Sequence, residues 1–278
     1  MKTVIVIPAR YASSRLPGKP LVMINGQTML QRVVALSLAA IQGLKNVSVI
    51  VATDDEQIIK HCHDIGIPAL MTPAELRTGT DRVAAAVRQM PEKPDFVLNM
   101  QGDAPLTPPD FLRAMITAFS ASPSDAITPV TQLTWAELDE LRHHKLTTPF
   151  SGTTATFNEK TGKAYWFSKT IIPAIRGEET LRQHSDLSPV FRHIGLYGYS
   201  LNVLENFIHL PESQYEKLEG LEQLRLLEHG YSVRCVPVEY KGRANMSGID
   251  SPQDVIRAEA LITKHGELLL SNDQTIGC

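Results

Sequence analysis

The sequence has few cysteines, few aromatic residues and no long apolar run. Its three cysteines, Cys62, Cys235 and Cys278, are far apart and form no CxxC pair. This argues against a disulfide framework or a structural zinc site and favours a reducing compartment. The apolar run after Thr3 is soon interrupted by Pro8 and by charges, so it is too short for a signal peptide or a membrane span. We therefore expect a cytoplasmic protein without a membrane partner.

Acidic residues are missing from the first 53 positions, although the whole chain is nearly neutral. The 27 Lys and Arg residues against 30 Asp and Glu residues give a net charge of −3, which is too balanced for a protein that coats nucleic acid. The charged residues of the first 53 positions are all basic: Lys2, Arg10, Arg15, Lys19, Arg32 and Lys45. We expect no nucleic-acid partner, but a cationic N-terminal part beside an acidic remainder.

The 278 residues, 43% of them hydrophobic, alternate between strand-like and helix-like patterns. Short β-branched runs with almost no polar interruption predict strands that are covered on both faces, at residues 3–7, 47–52, 96–100 and 126–130. Apolar residues at helical spacing predict helices between them, at 28–40, 55–65 and 81–90. This βαβαβ order predicts a parallel, three-layer α/β fold.

The second half of the chain has a different pattern. A turn with Gly162 between two strand-like runs predicts a β-hairpin over 152–167. Further strands are expected at 194–199 and 232–237, and helices at 134–143, 218–229 and 251–264. Since no linker divides the halves, we expect one domain over 1–269, with a hairpin-bearing insertion at about 145–200 and a flexible tail at 270–278.

A cationic loop follows the first predicted strand. It contains Arg10, Ser13, Arg15 and Lys19, and ligands in open α/β sheets bind beyond the carboxyl ends of the strands. The loop is not a Walker A motif, because Pro20 follows Lys19. Its cations have no acidic neighbour in sequence, and each cation–phosphate pair at about 4 Å is worth on the order of 4 kcal/mol. We expect a triphosphate here; the alternative is a solubilising surface loop.

Two carboxylates are candidates for a magnesium site. Asp103 follows the strand at 96–100, and the preceding Gly102 allows close backbone approach, an arrangement that suits Mg²⁺ held against phosphates. Asp250 lies just before the last helix. An Asx turn would explain Asp103 equally well, and Asp250 or Ser251 could simply cap that helix.

Polar groups also follow the other strands of the first half. Thr53 and Asp54 end the second strand, and Gly79 and Thr80 lie where a helix begins. Backbone N–H groups and hydroxyls at such a position suit an anionic ligand, although capping alone would also explain Thr80. The strand ends therefore present polar side chains along one edge of the predicted sheet.

Taken together, these motifs resemble the 3-deoxy-manno-octulosonate (Kdo) cytidylyltransferases, also called CMP-Kdo synthetases. The resemblance spans residues 2–261 and rests on seven segments in the family's order: PARYASSRLPGK at 8–19, ATD at 52–54, GTDR at 79–82, QGD at 101–103, RHIGLYGY at 192–199, LEQLR at 221–225 and GIDSP at 248–252. The opening motif together with QGD is specific to this family and its near relatives.

The resemblance implies a Rossmann-like α/β/α fold of the nucleotide-diphospho-sugar-transferase type, with a mostly parallel sheet and a dimerisation insertion that makes a homodimer. It also implies a Mg²⁺-dependent transfer of CMP from CTP to the anomeric hydroxyl of Kdo or a closely related 3-deoxy-2-ulosonic acid. Pyrophosphate is released, and the CMP-sugar serves lipopolysaccharide or capsule synthesis. No general base is assigned, because a metal ion can lower the pKa of the attacking hydroxyl.

The family's functional residues map onto this sequence in three groups. Those implied to bind the nucleotide are Ala9, Arg10, Ser13, Arg15, Lys19, Thr53, Asp54, Gly79, Thr80, Arg82 and Gln101. Those implied to face the sugar are Gln101, Lys169, His193, Tyr197, Glu222 and Gln223. Asp103 and Asp250 would ligate Mg²⁺ and, with Arg15 and Lys19, carry the catalysis.

Three positions depart from the family pattern. Ala104 replaces a Glu, and Lys169 and Ser200 replace arginines. Lys pairs with a sugar carboxylate only as a point charge, whereas Arg clamps it with two hydrogen bonds. The identity of the sugar acid is therefore open, and an 8-amino analogue is one option.

Other activities remain alternatives at this stage. They are a CMP-sialic acid synthetase, a glycosyltransferase that consumes nucleotide sugars, and a non-catalytic CTP-binding relative. The glycosyltransferase would normally show an Asp-x-Asp motif, where this sequence has Gln101 before Asp103. Taken alone, His193 is more often a structural residue than a ligand.

Overall fold

The computed structural model describes residues 1–13, 15–243, 245–246 and 248–268. The strands are β1 (Thr3–Ala9), β2 (Met23–Ile24), β3 (Gln27–Thr28), β4 (Val47–Thr53), β5 (Ala69–Met71), β6 (Phe96–Asn99), β7 (Ala126–Thr134), β8 (Thr154–Phe157), β9 (Ala164–Ser168), β10 (Leu187–His193), β11 (Tyr197–Ser200) and β12 (Val233–Pro237). The tail expected at 270–278 lies outside the described residues.

The helices are α1 (Met29–Ile41), α2 (Glu56–Asp64), α3 (Gly79–Gln89), α4 (Pro109–Ala121), α5 (Trp135–Lys145), α6 (Glu178–His184), α7 (Leu201–Phe207), α8 (Gln214–Glu219), α9 (Gln223–Glu228) and α10 (Pro252–His265). A short 3₁₀ turn covers Lys19–Leu21. In the described part of the chain no helix combines the length and the apolar character that crossing a bilayer would need.

One ten-stranded sheet connects both halves of the chain. Its order is β5-β4-β1-β6-β11-β7-β10-β8-β9, and β12 pairs with β7. β5, β4, β1 and β6 are parallel neighbours, which confirms the predicted parallel core, and β12 is parallel to β7. β11, β10 and β9 are antiparallel to the strands beside them, so the sheet is mostly parallel and antiparallel only around the second half of the chain.

Helices cover both faces of the sheet, as the uninterrupted apolar strands predict. Ile5 and Ile7 of β1 pack in a cluster with apolar residues of α1, α2 and α4. Val4 and Val6, which point to the other face because successive side chains alternate along a strand, pack with residues of α3, α7 and α9. The predicted three-layer arrangement is confirmed.

The predicted hairpin is formed by β8 and β9. Asn158 accepts hydrogen bonds from the N–H groups of Lys160 and Thr161, both at 3.0 Å, and its own N–H bonds the carbonyl of Lys163 at 2.8 Å. Gly162 has φ +75°, a conformation that favours glycine. A cis peptide bond links Ile172 and Pro173 further along the insertion.

Some boundaries differ from the prediction. The helix expected at 218–229 is two helices, α8 and α9, because Gly220 ends α8 in the left-handed region with φ +62°. The strand expected at 194–199 is the end of a longer antiparallel run that begins at Leu187 and is interrupted between β10 and β11. Helices α4, α6 and α7 were not predicted.

A third apolar cluster brings the cationic loop close to the segment before α10. Leu16 of the loop packs with Met29 of α1, Ile249, and Ala258 and Ile262 of α10. Residues separated by more than 200 positions therefore share one small core. This packing places the loop and Asp250 on the same side of the sheet.

Candidate active site

The cavity at the carboxyl ends of β1 and β6 collects most of the predicted site residues. Because these two strands are neighbours in the sheet, the loops that follow them meet. The predicted residues that line this cavity are Ala9, Arg10, Ser13, Arg15, Lys19, Gly79, Arg82, Gln101, Asp103 and Asp250. Arg77 and Thr78 also line it, which extends the cationic surface beyond the first loop.

Lys19 joins the two candidate metal ligands. Its Nζ lies 2.6 Å from Asp103 Oδ2 and 2.8 Å from Asp250 Oδ1, and Arg15 lies 3.2 Å from the same Asp250 oxygen. Although the loop has no acidic neighbour in sequence, acids from distant loops therefore balance part of its charge. The surface-loop alternative is wrong for Lys19, whose side chain is only 14% exposed.

The two carboxylates do not have the structural roles that were their alternatives. Ser251, not Asp250, caps α10, and it forms a capping box with Asp254. Among the hydrogen bonds of the described residues, the carboxylate of Asp103 takes part only in the one from Lys19, so it makes no Asx turn. Both side chains instead line the cavity and form ion pairs with Lys19.

The loops that carry the carboxylates are fixed to each other. The N–H of Ile249 donates to the carbonyl of Asp103 at 2.9 Å. Gly102 approaches β1 so closely that a Cβ at this position would overlap the carbonyl oxygen of Pro8, which explains the glycine. Arg243, in the segment before Asp250, forms a bidentate ion pair with Asp110 of α4 at 2.5 and 2.9 Å.

The donor set fits a magnesium ion bound together with a nucleotide. Oxygens of Asp103 and Asp250 converge on one cationic atom, Lys19 Nζ. In the part of the chain that the structure describes, no group of three or more His, Cys, Asp or Glu side chains could hold a metal. Mg²⁺ typically takes one or two carboxylates and completes its shell with phosphates and water, so two converging carboxylates match it.

Asp54 and Arg82 form a buried pair beside the cavity. Arg82 donates to Asp54 Oδ2 at 2.8 Å and to the hydroxyl of Thr72, and the N–H of Tyr11 in the cationic loop donates to Asp54 Oδ1 at 3.3 Å. Thr53 is fully buried beneath them and does not line the cavity. Asp54 thus links Arg82, which lines the cavity, to the cationic loop.

Thr80 connects the nucleotide cavity to the predicted sugar residues. Thr78 caps α3, so capping does not explain Thr80, whose hydroxyl donates to Glu222 at 2.5 Å. Burial raises the pKa of Glu222, while the hydrogen bond from Thr80 and the charge of Arg225 oppose the shift. A carboxylate held in this way can accept a hydrogen bond from a sugar hydroxyl.

The remaining sugar residues form one buried group. The Tyr197 hydroxyl donates to Gln223 Oε1 at 2.9 Å, and the His193 and Tyr197 rings lie 5.6 Å apart. Burial, with the charge of Lys169, lowers the pKa of His193 to about 3, so this ring is neutral at pH 7. Gln223 Nε2 is buried and has no partner among the described residues, which leaves a donor for a bound hydroxyl or carboxylate.

Lys169 is the departure from the family pattern that lies at this group. Ala104 is buried in the apolar cluster under α4, and Ser200 caps α7 by accepting a hydrogen bond from Val203 N–H. By contrast, the charge of Lys169 acts directly on His193. Lys169 is two positions after Phe167, whose ring packs against that of His193 with centroids 5.1 Å apart, so it lies near the predicted sugar residues.

Two residues around Lys169 escaped sequence reasoning. Lys145, at the end of α5, and Glu219, at the end of α8, bond the backbone groups of Lys169. Because they bind a peptide group and belong to none of the recognised segments, the sequence carries no signal for them. Arg77 lines the cavity but is absent from the predicted binding residues, although it lies only two positions before the GTDR motif at 79–82.

Comparisons with known proteins place the chain in a family. Residues 4–235 match the family model described as "Cytidylyltransferase". The 3-deoxy-manno-octulosonate cytidylyltransferase of Maricaulis maris is 41% identical over 270 residues, which are 97% of this chain and 100% of the relative. The enzyme of the same name from Syntrophotalea carbinolica is 39% identical over 94% of this chain and 98% of its own length.

A solved structure supports the same assignment. It is a CMP:2-keto-3-deoxy-manno-octonic acid synthetase complexed with CTP, which matches with a TM-score of 0.79 and 33% identity. The match covers 95% of this chain and 99% of that one. The chain therefore belongs to the 3-deoxy-manno-octulosonate cytidylyltransferase family.

Proposed function

We propose that the protein transfers CMP from CTP to the anomeric hydroxyl of Kdo, or of a closely related 3-deoxy-2-ulosonic acid, and releases pyrophosphate. The observation that carries the proposal is the convergence of Lys19 with Asp103 and Asp250 in the cavity above β1 and β6. A sugar hydroxyl attacks the α-phosphorus of CTP and gives its proton to water, while the bond from that phosphorus to the bridging oxygen of the leaving pyrophosphate breaks. The CMP-sugar fits lipopolysaccharide or capsule synthesis.

The cationic loop binds and orients the triphosphate. Arg10, Arg15 and Lys19 face the same cavity, where their charges offset those of the phosphates and stabilise the leaving pyrophosphate. Asp103 and Asp250 would hold Mg²⁺, which neutralises charge on the transferring group and lowers the pKa of the attacking hydroxyl. No protein base is required for that step.

The buried group formed by the predicted sugar residues would orient the sugar acid. Gln223 Nε2 offers an unpaired donor, Glu222 offers an acceptor, and Lys169 offers a positive charge for the carboxylate. Thr80 joins the two substrate sites through its bond to Glu222. Holding the hydroxyl in line with the α-phosphorus is the main task of these residues, since proximity and orientation supply much of the rate.

The direct test is pyrophosphate release from CTP as the sugar acid is varied. We expect Mg²⁺-dependent release with Kdo or its 8-amino analogue and slow release with N-acetylneuraminate. CTP should be preferred over UTP and GTP. Absence of turnover with every 2-ulosonic acid, despite tight CTP binding, would leave a non-catalytic CTP-binding relative in place of the enzyme.

A further inference from the structure

The two peptide groups of Lys169 are held by charged side chains from two different helices. The N–H of Lys169 donates to Glu219 Oε2 at 2.7 Å, and its carbonyl accepts from Lys145 Nζ at 2.6 Å. Lys145 ends α5 and Glu219 ends α8, while Lys169 directly follows β9. Three separate elements therefore meet at one residue.

Each of the two holding side chains is itself fixed by further bonds. The other carboxylate oxygen of Glu219 accepts from Ser168 Oγ at 2.8 Å. Lys145 also donates to the carbonyls of Ser151 and Gly152 in the loop after α5. Charge-assisted hydrogen bonds of this kind are stronger than neutral ones, so the position of residue 169 is well determined.

Positive charges outnumber negative ones around Lys169. Burial lowers the pKa of Lys169, and Glu219 opposes that shift. The pKa of Lys145 is also lowered, by burial and by the charges of Lys169 and Arg192. Lys145 thus lies near two other cations, Lys169 and Arg192, and near one carboxylate, Glu219, and an excess of positive charge favours a bound carboxylate.

A fixed backbone reduces the conformational freedom that a lysine loses when it binds a carboxylate. Lysine presents a point charge on a flexible stem, whereas the planar guanidinium is pre-organised for two parallel hydrogen bonds to a carboxylate. Ordering the flexible stem costs conformational entropy, so a fixed backbone lowers what remains to be ordered. The bonds from Lys145 and Glu219 fix the backbone of Lys169 in this way.

We infer that Lys145 and Glu219 are positioning residues that hold Lys169 for the carboxylate of the sugar acid. The inference rests on the proposed function. Lys145 and Glu219 do not line the nucleotide cavity, so we expect their replacement to weaken the binding of the sugar acid and not that of CTP. The role is argued from the hydrogen bonds that the two side chains make to the carbonyl and the N–H of Lys169.

The first experiment compares Lys145→Met and Glu219→Gln with matched controls. The variants should raise KM for the sugar acid about tenfold, with KM for CTP unchanged and kcat changed less than threefold. Lys93→Met removes an ammonium that also bonds backbone carbonyls, at the end of α3, and Glu137→Gln removes a carboxylate that also binds one N–H and one hydroxyl. Both controls should keep the wild-type KM.

A double-mutant comparison separates positioning from a general loss of stability. In a Lys169→Met background, Lys145→Met should raise KM for the sugar acid no further, because the ammonium that Lys145 positions is already gone. Lys145→Arg, which keeps the donors, should restore most of the affinity. Additive effects, or equal changes in KM for CTP and the sugar acid, overturn the inference. Failure of the wild type to turn over any sugar acid overturns the proposed function instead.

Discussion

Lys19 is the residue on which the charges of the site converge. It lies between Asp103 and Asp250 and is mostly buried, and Arg15 reaches the second of these acids. Each carboxylate has a partner in the cationic loop, so removing one acid changes the net charge around Lys19. The chemistry at this point depends on charge more than on shape.

Asp103→Asn tests this balance. The change keeps the size of the side chain but removes its charge, so we expect kcat to fall by roughly 10² or more, with little change in thermal unfolding. Initial rates of pyrophosphate release at saturating CTP and Mg²⁺ measure the effect. Asp139→Asn, an exposed acid that pairs with Arg182 far along the chain, is the control. Near-normal turnover of Asp103→Asn would remove this residue from the metal site.

Close packing between strands, rather than hydrogen bonding alone, fixes the central sheet. Gly198 of β11 lies directly over the ring of Phe96 in β6, and that ring stacks on Phe119 of α4 with centroids 4.1 Å apart. An added Cβ at residue 198 would approach Phe96 Cε2 to 2.5 Å and Ile127 Cγ1 to 3.1 Å. The strand that joins the two halves of the sheet therefore requires a residue without a side chain.

Gly198→Ala and Gly195→Ala make a matched pair. We expect Gly198→Ala to lower the free energy of unfolding by about 1–3 kcal/mol, as overpacking of a core does. A Cβ at Gly195 meets nothing within 4 Å, and its φ needs no glycine, so Gly195→Ala should change that free energy by less than about 0.5 kcal/mol. Urea unfolding measures both. Equal stability of the two variants would contradict this account of β11.

The elements that sequence reasoning found are those with a strong apolar period. β1, β4, β6 and β7 are buried on both faces, and buried strands have an unmistakable pattern. Helix α9 was merged with α8 because the residues on both sides of Gly220 keep a helical period, and only the left-handed backbone at that glycine divides them.

Local sequence patterns likewise identified only part of the candidate site. The loop residues, Asp103 and Asp250 were identified because each follows a strand or precedes a helix at a recognisable motif. Lys145 and Glu219 contact a backbone group of a residue at least 24 positions away, which no local pattern encodes. Ser200 was interpreted as a departure at the sugar, but the structure gives it a capping role.

The whole molecule joins the two oppositely charged parts of its sequence. The first 53 residues contribute Arg10, Arg15 and Lys19, while Asp103 and Asp250 come from the acidic remainder. The small core around Leu16 and Ile249 brings these parts together. The net charge of −3 gives no sign that basic and acidic groups of the two parts meet in one cavity. The fold, not the composition, determines how they are paired.

The segment after α5 carries the most exposed apolar side chains of the described residues. Leu146 is 79% exposed and Phe150 is 73% exposed, and both belong to the insertion expected to form a dimer. Isolated apolar side chains on a surface are common, but large apolar side chains that are exposed within one short segment mark interaction sites. We propose that this segment lies in the interface of a homodimer.

Light scattering coupled to size exclusion tests the dimer. We expect a mass of about twice the 30.7 kDa of the chain. Phe150→Asp should give the mass of one chain, because a buried unpaired charge in an interface costs several kcal/mol. Ile256→Asp is the control, since this residue is 67% exposed on α10, outside the insertion, and it should keep the wild-type mass. A wild-type protein that elutes as a single chain at micromolar concentration, or a Phe150→Asp variant that keeps the doubled mass, would show that this segment does not form the interface.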